Sequence, residues 1–434
     1  MDAHALKEPA AQPIEEQYMP LRKVVAVGVG NALEFYDFIT FSFFAIQIGH
    51  CFFPESQTSH GLLYSLATFG VGFLTRPLGG VVIGIYGDRK GRKPAMVLSL
   101  SLMGASILGL VLTPSYAQIG IAAPMLLVIF RLVQGFALGG EVGPSTAFLI
   151  EAAPPHRRGL YVSLQYMTQD VAVLGAGVAG FALTTSLTPA ALDAWGWRVA
   201  LVIGTAVVPI GLHLRRNLPE TLHDADRRVR AAAQRRVPVH LIVLALMLMM
   251  AAIIYIYGLD YITTYAQDSL HMRPSLAFGA TVVIGLCAII ADPLSGLLSD
   301  RIGRRPVMLG AVLILVLLLV PAYMAMKELR SVPVVYGAIA ILAVLQAFLT
   351  APALIAVTEV LPKAIRSGSL ATIHALATSI FGGSTQFAIK ALTDLTGSAL
   401  APAWYMTGAV FIGGIAMTLM QETAPVKAGF AQDH

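Results

Sequence analysis

Runs of apolar residues, each broken by a short polar loop, fill the chain from residue 23 to residue 421. Most reach or exceed the roughly 18–20 residues that cross about 30 Å of hydrocarbon. The pattern predicts spans at about 23–50, 61–87, 95–114, 122–151, 160–187 and 197–214. A polar, arginine-rich stretch follows at 215–237, and six further spans at about 238–266, 276–299, 306–326, 332–360, 367–392 and 402–421. Helix is the expected state of every span, because a backbone facing lipid must satisfy its own hydrogen bonds. The predicted fold is an all-α membrane protein with twelve transmembrane helices in two pseudo-symmetric six-helix bundles, residues 23–214 and 238–421. Residues 1–22 and 422–434 read as solvated tails, and no cleavable signal peptide is visible at the amino end.

Composition agrees. Of 434 residues, 56% are hydrophobic and 12% charged, against about 25% charged in a soluble domain. That leaves too little charge to cover a water-facing surface, so lipid is the expected surroundings. The two cysteines, Cys51 and Cys287, imply no disulfide framework.

Charge placement gives an orientation. Alternate loops are basic: Arg89, Lys90, Arg92 and Lys93; Arg157 and Arg158; the arginines of 215–237; Arg301, Arg304 and Arg305; Lys363 and Arg366. The intervening loops at 51–60, 115–121 and 188–194 hold no Lys or Arg. The positive-inside rule puts the basic loops in the cytoplasm, with both tails and the 215–237 linker. The net charge of +5 is thereby accounted for, and no nucleic-acid partner is expected.

One segment occurs twice. Residues 84–94 read GIYGDRKGRKP and residues 296–306 read GLLSDRIGRRP, each at the basic end of the second span of its half. The repeat makes the halves parallel copies, as in transporters related by an axis along the membrane normal. Gly91 and Gly303 suit a tight turn. Asp88 and Asp300 can pair with neighbouring arginines or with a helix end, so Asp88, Arg89, Arg92, Asp300, Arg301 and Arg304 form a candidate gating latch. The alternative is that the arginines only anchor the loops at anionic lipid.

Both copies resemble the loop signature of the major facilitator superfamily. GNALEFYDF (30–38), GFLTRPLGG (72–80), RLVQGFALGGE (131–141), WGWR (195–198), RRNLPET (215–221) and TEVLPKAIR (358–366) narrow the likeness to the metabolite:proton symporter family, and within it to the citrate and tricarballylate branch. The resemblance implies proton-coupled uptake of a small organic acid by alternating access, with the proton as coupling ion and no cofactor. The chain is expected to act as a monomer.

Charges inside the spans carry the candidate chemistry, since each costs at least about 2.5–3.5 kcal/mol in the bilayer. Glu34 and Asp37 lie three residues apart in the first span, with Glu34 about 16 Å deep. Arg76 lies about 18 Å from Asp88, and Arg131 about 14 Å into the fourth span. Two carboxylates and two guanidiniums are thus expected to meet near the midplane, where such transporters bind substrate. Burial favours a neutral carboxyl and a nearby guanidinium favours the anion, so Glu34 and Asp37 are the expected proton site. Arg131, which can hold a carboxylate bidentately, is the expected anchor, with Arg76 second; the alternative for the group is a permanent buried ion-pair set that only holds helices together.

Gln134, Gln169 and Gln346 are candidate donors to substrate oxygens or, alternatively, interhelical glue. Tyr255 is a candidate outer gate and Tyr261 an interfacial residue. Glu141, toward the basic end, is expected to gate by pairing with the first loop motif.

Two acids depart from the citrate-like pattern. Asp170 stands where that resemblance implies glutamine, and Asp292 where it implies an apolar residue. Extra acids suit a trianion only if protonated or paired, so a dicarboxylate, an aromatic or keto acid, or a betaine-like osmolyte stays open. A drug exporter and a membrane sensor are the other readings. No phosphate-binding loop or metal-ligand spacing appears, and no enzyme activity is expected.

Overall fold

A computed structural model describes residues 32, 35–53, 60–90, 92–139, 146, 149–150, 153–216, 237–362 and 366–425, with backbone alone at 84, 87–90, 92–93, 95–96, 206–208, 210–216 and 367. Among these residues seven helices are long and apolar enough to cross a membrane, from Gly61–Ile83 to Ala401–Leu419. Two shorter apolar helices, Val97–Leu112 and Ala122–Leu138, fall in the third and fourth predicted spans. The first span ends in Ala45–Phe52 and the sixth is Trp197–Arg216. The seventh breaks at Tyr261 into Val239–Asp260 and Ile262–Asp268. The eleventh runs Arg366–Ala377, then a π-helical turn over Thr378–Gly382, then Gly383–Thr396. The described elements follow the twelve predicted spans. Large apolar side chains such as Leu112, Leu313, Leu317 and Leu419 stay exposed, as a lipid-facing surface requires.

The two halves meet along two seams. The fifth span, Arg158–Ser186, packs antiparallel on the eighth, Pro274–Ile302. Backbones touch at their basic ends, where a Cβ on Gly296 would come within 2.5 Å of the Gly159 carbonyl oxygen. The second seam joins the second span to the eleventh. A Cβ on Gly70 would meet the Gly383 carbonyl oxygen at 2.1 Å, and the Ser379 hydroxyl donates to the Phe73 carbonyl at 2.8 Å. The Gln386 amide donates to Ser42 Oγ at 2.7 Å, tying the eleventh span to the first.

The repeated motif makes its turn at Gly303, whose φ of 107° is in the region L-residues avoid. The turn joins the eighth span to the ninth, Arg304–Leu329. Glu422, just beyond the twelfth span, reaches back to this turn and accepts from the Arg304 and Arg305 amides at 2.8 and 3.1 Å. It satisfies two amides that a helix start leaves free.

Candidate functional site

Arg131, in Ala122–Leu138, is wholly buried. Its Nη1 donates to Gln134 Oε1 at 2.5 Å and its Nη2 to the Phe69 carbonyl at 3.1 Å. Gln134 is one turn further along the same helix, so the sequence itself sets this pairing. The guanidinium carbon sits 4.6 Å from the Phe38 ring centre and 4.4 Å from that of Phe41. Arg76 approaches the same Phe38 ring at 4.5 Å and Phe73 at 4.2 Å. Tyr257, from the seventh span, meets Phe73 edge-on at 5.2 Å, the ring that Arg76 also contacts. Two cations from the first half therefore share one aromatic ring, and the second half closes over them with a tyrosine.

Neither guanidinium has a carboxylate ion-pair partner among the described residues, and the Nε atoms of Arg76 and Arg131 make no hydrogen bond. A cation–π contact contributes roughly 0.5–2 kcal/mol. Desolvating an ion costs several kcal/mol. Aromatic rings alone do not offset that cost, so the arrangement suits an anion arriving at the guanidiniums. An open cleft of about 390 Å³ lies elsewhere: it opens at the end away from the basic loops, among His50, Phe53, Gly61, Gln267, Asp268 and His271.

The site residues expected from sequence divide. Arg76, Arg131 and Gln134 come together. Asp37 is buried but does not join them: no ion pair links it to either arginine, and its Oδ1 packs where a Cβ of Gly204 in the sixth span would sit. The cause is helical phase. Phe38 faces the arginines, and Asp37, one residue earlier, is turned about 100° away. Glu34 and Glu141 lie outside the described residues. The Tyr255 hydroxyl is engaged inside the second half, donating to the Leu342 carbonyl at 3.0 Å. Tyr257 takes the position beside the arginines instead. Gln169 is half-buried in the fifth span and Gln346 is buried in Val332–Val360, where its backbone carbonyl accepts from Thr350.

At the basic end, Asp300 and Arg304 of the second motif copy are engaged. Asp300 accepts from the amides of Gly159 and Leu160, at 2.8 and 3.0 Å, at the start of the fifth span. It also pairs with Arg304 at 2.7 Å. Arg304 continues to Glu359 at 3.0 Å, whose other oxygen accepts from the Thr423 hydroxyl at 2.6 Å. Arg301 is exposed. The Asp88, Arg89 and Arg92 side chains lie outside the described ones. Glu359 and Glu422 were not singled out from sequence, although Glu359 sits inside the TEVLPKAIR motif.

A second polar group crosses the boundary between the halves. Asp170 of the fifth span and Asp292 of the eighth are both buried at the seam, between the Gly159–Gly296 and Leu174–Gly285 contacts. Tyr166, one turn before Asp170, and Asp260 of the seventh span are buried as well.

A family model described as the Major Facilitator Superfamily matches residues 35–367. The citrate-proton symporter of Klebsiella pneumoniae is 34% identical over 409 residues, covering 93% of this chain and 92% of the relative. The alpha-ketoglutarate permease of Escherichia coli is 32% identical, covering 88% and 90%. The proline/betaine transporter of the same species is also 32% identical, covering 94% and 85%. Among solved structures, a proton:xylose symporter bound to 6-bromo-6-deoxy-D-glucose superposes with a TM-score of 0.74 at 18% identity, covering 93% of this chain and 96% of that one. That last likeness speaks to the fold alone.

Proposed function

The chain belongs to the major facilitator superfamily, and we propose that it takes up a small organic acid bearing two or three carboxylates together with protons. The observation that carries the reading is the pair of buried guanidiniums on Phe38 with no carboxylate ion-pair partner among the described residues. One substrate carboxylate binds Arg131, which Gln134 holds in position, and a second engages Arg76. Phe38, Phe41, Phe69 and Phe73 exclude water, which strengthens each charge-assisted contact. The similarity to citrate-proton and alpha-ketoglutarate transporters supports the same substrate class.

In this reading the basic loops and both tails face the cytoplasm of an inner-membrane protein. Asp300, Arg304 and Glu359 hold the cytoplasmic side shut by capping the fifth span from the other half, and release it as the halves rock. Asp37 and Glu34 carry protons in the first span.

A second reading has one observation in its favour. Tyr257 adjoins Arg76 over the Phe73 ring, and the buried acids Asp170, Asp260 and Asp292 lie across the boundary between the halves, Asp260 one turn along the seventh span from Tyr257. A site with a basic and an acidic pole also suits a zwitterion, as in the proline/betaine relative. Uptake into proteoliposomes under an inward proton gradient, with labelled citrate, alpha-ketoglutarate and glycine betaine, separates the two. The acid reading expects gradient-driven accumulation of one of the acids and none of the betaine. Accumulation of betaine alone would replace it with the second reading, and acid uptake indifferent to the gradient would remove proton coupling.

A further inference from the structure

We propose that Asp170 and Asp292 form a shared-proton pair that joins the two halves, and that loading and unloading this proton is part of the transport cycle. The inference deepens the symport reading above and rests on it. It adds a coupling site at the boundary between the halves, separate from the carboxyls of the first span.

The register of the seam brings the two acids together: Gly296 meets Gly159 and Ser163 on one side, Gly285 meets Leu174 on the other, and Asp170 and Asp292 fall in the stretch between. An ionised carboxylate only accepts hydrogen bonds, so two carboxyls meeting there bond only when one carries a proton. Without it, two carboxylates would face each other at close range and repel. Both residues are almost wholly buried, Asp170 with 6% and Asp292 with 1% exposure. The second oxygen of Asp292 has no hydrogen-bond partner, nor does Oδ2 of Asp260, which is 5% exposed and acts on Asp170. The titratable groups nearest the pair are Tyr166 from the fifth span and Asp260 from the seventh. Among the described residues no ion pair reaches either acid, so no fixed cation neutralises it.

The pair is also placed to sense motion. Asp170 lies about 18 Å along the fifth span from Arg158, and Asp292 about 15 Å along the eighth from Ile302. On one side the Gly159 and Gly296 backbones touch. On the other, Gly285 packs on Leu174 and Gly177 on Thr281. These close contacts bracket the pair along the seam. A protonated pair draws the halves together, and loss of the proton drives them apart.

Asp170→Asn and Asp292→Asn keep a hydrogen-bonding group but cannot carry the proton. In proteoliposomes with an internal pH dye and labelled citrate or alpha-ketoglutarate, each should lower proton-driven accumulation by about tenfold or more, while exchange of internal for external substrate stays within about threefold of wild type. Wild-type accumulation in both variants overturns the proposal. So does a folded variant that loses exchange together with accumulation, since the acids would then bind substrate. Infrared spectroscopy of the purified protein needs no transport. It should show a protonated-carboxyl band at neutral pH that shifts in Asp292→Glu, and no shift would overturn the proposal even if the Asn variants fail to fold. Wild-type vesicles whose acid uptake ignores the pH gradient would remove the symport reading itself, whatever the variants do.

Discussion

The Asp300 carboxylate of the eighth span accepts from the Gly159 amide at 2.8 Å, so one side chain of the second half caps a helix of the first. The same carboxylate holds Arg304, and a hydrogen bond to a charged group contributes about 1.5–3 kcal/mol. Asp300→Asn should therefore cut the transport rate severalfold and lower the melting temperature in detergent. Arg301→Ala, at an exposed neighbour in the same motif, should stay within about 0.5 kcal/mol of wild type. Paired uptake assays and thermal melts of the two variants check the contrast.

Arg131→Lys keeps the charge but loses the planar fork that can hold a carboxylate with two bonds. The half-saturation concentration for the acid should rise by about tenfold or more, as expected for losing about 1.5–3 kcal/mol. Gln134→Leu should raise it less, because Gln134 orients Arg131 through the 2.5 Å contact. Concentration-dependent uptake of the labelled acid measures both.

Two tyrosines two residues apart should behave differently. Tyr257→Phe removes the hydroxyl beside Arg76, over the shared Phe73 ring, and should weaken acid uptake several times over. Tyr255→Phe removes the bond to the Leu342 carbonyl and should cost about 1 kcal/mol of stability with unchanged affinity. The half-saturation concentration and the melting temperature together separate the two.

Gly296→Ala places a methyl group within 2.5 Å of the Gly159 carbonyl oxygen. It should wedge the halves apart at the basic end and reduce transport by at least about tenfold, with the protein still inserted and expressed. Gly310→Ala, where a Cβ meets nothing within 4 Å, should transport normally. Cysteine-accessibility labelling from the basic-loop side should rise in Gly296→Ala and not in Gly310→Ala.

The spans were legible in the sequence because hydropathy over about 18 residues is a strong, local signal. The latch was legible in part. A repeated Asp-Arg motif announced Asp300 and Arg304, but their partners Gly159, Glu359 and Glu422 come from distant segments that local spacing does not connect. Rotational phase was harder to read. Asp37 and Phe38, or Tyr255 and Tyr257, differ by one or two residues and face different neighbours, and a span apolar on nearly all sides offers little periodicity to set its phase. The phenylalanines around the arginines look like ordinary lipid-facing residues until the fold brings 38, 41, 69 and 73 together. Asp170 and Asp292 each stood out as an unexpected acid, but only the packing of the fifth span on the eighth makes them a pair.

Proton movement on substrate addition tests the central claim most directly. Unlabelled citrate or alpha-ketoglutarate, added to proteoliposomes with no imposed gradient, should draw protons inward and make the external medium more alkaline. Arg131→Ala should abolish the response. Entry of labelled acid with no accompanying proton movement would contradict the account.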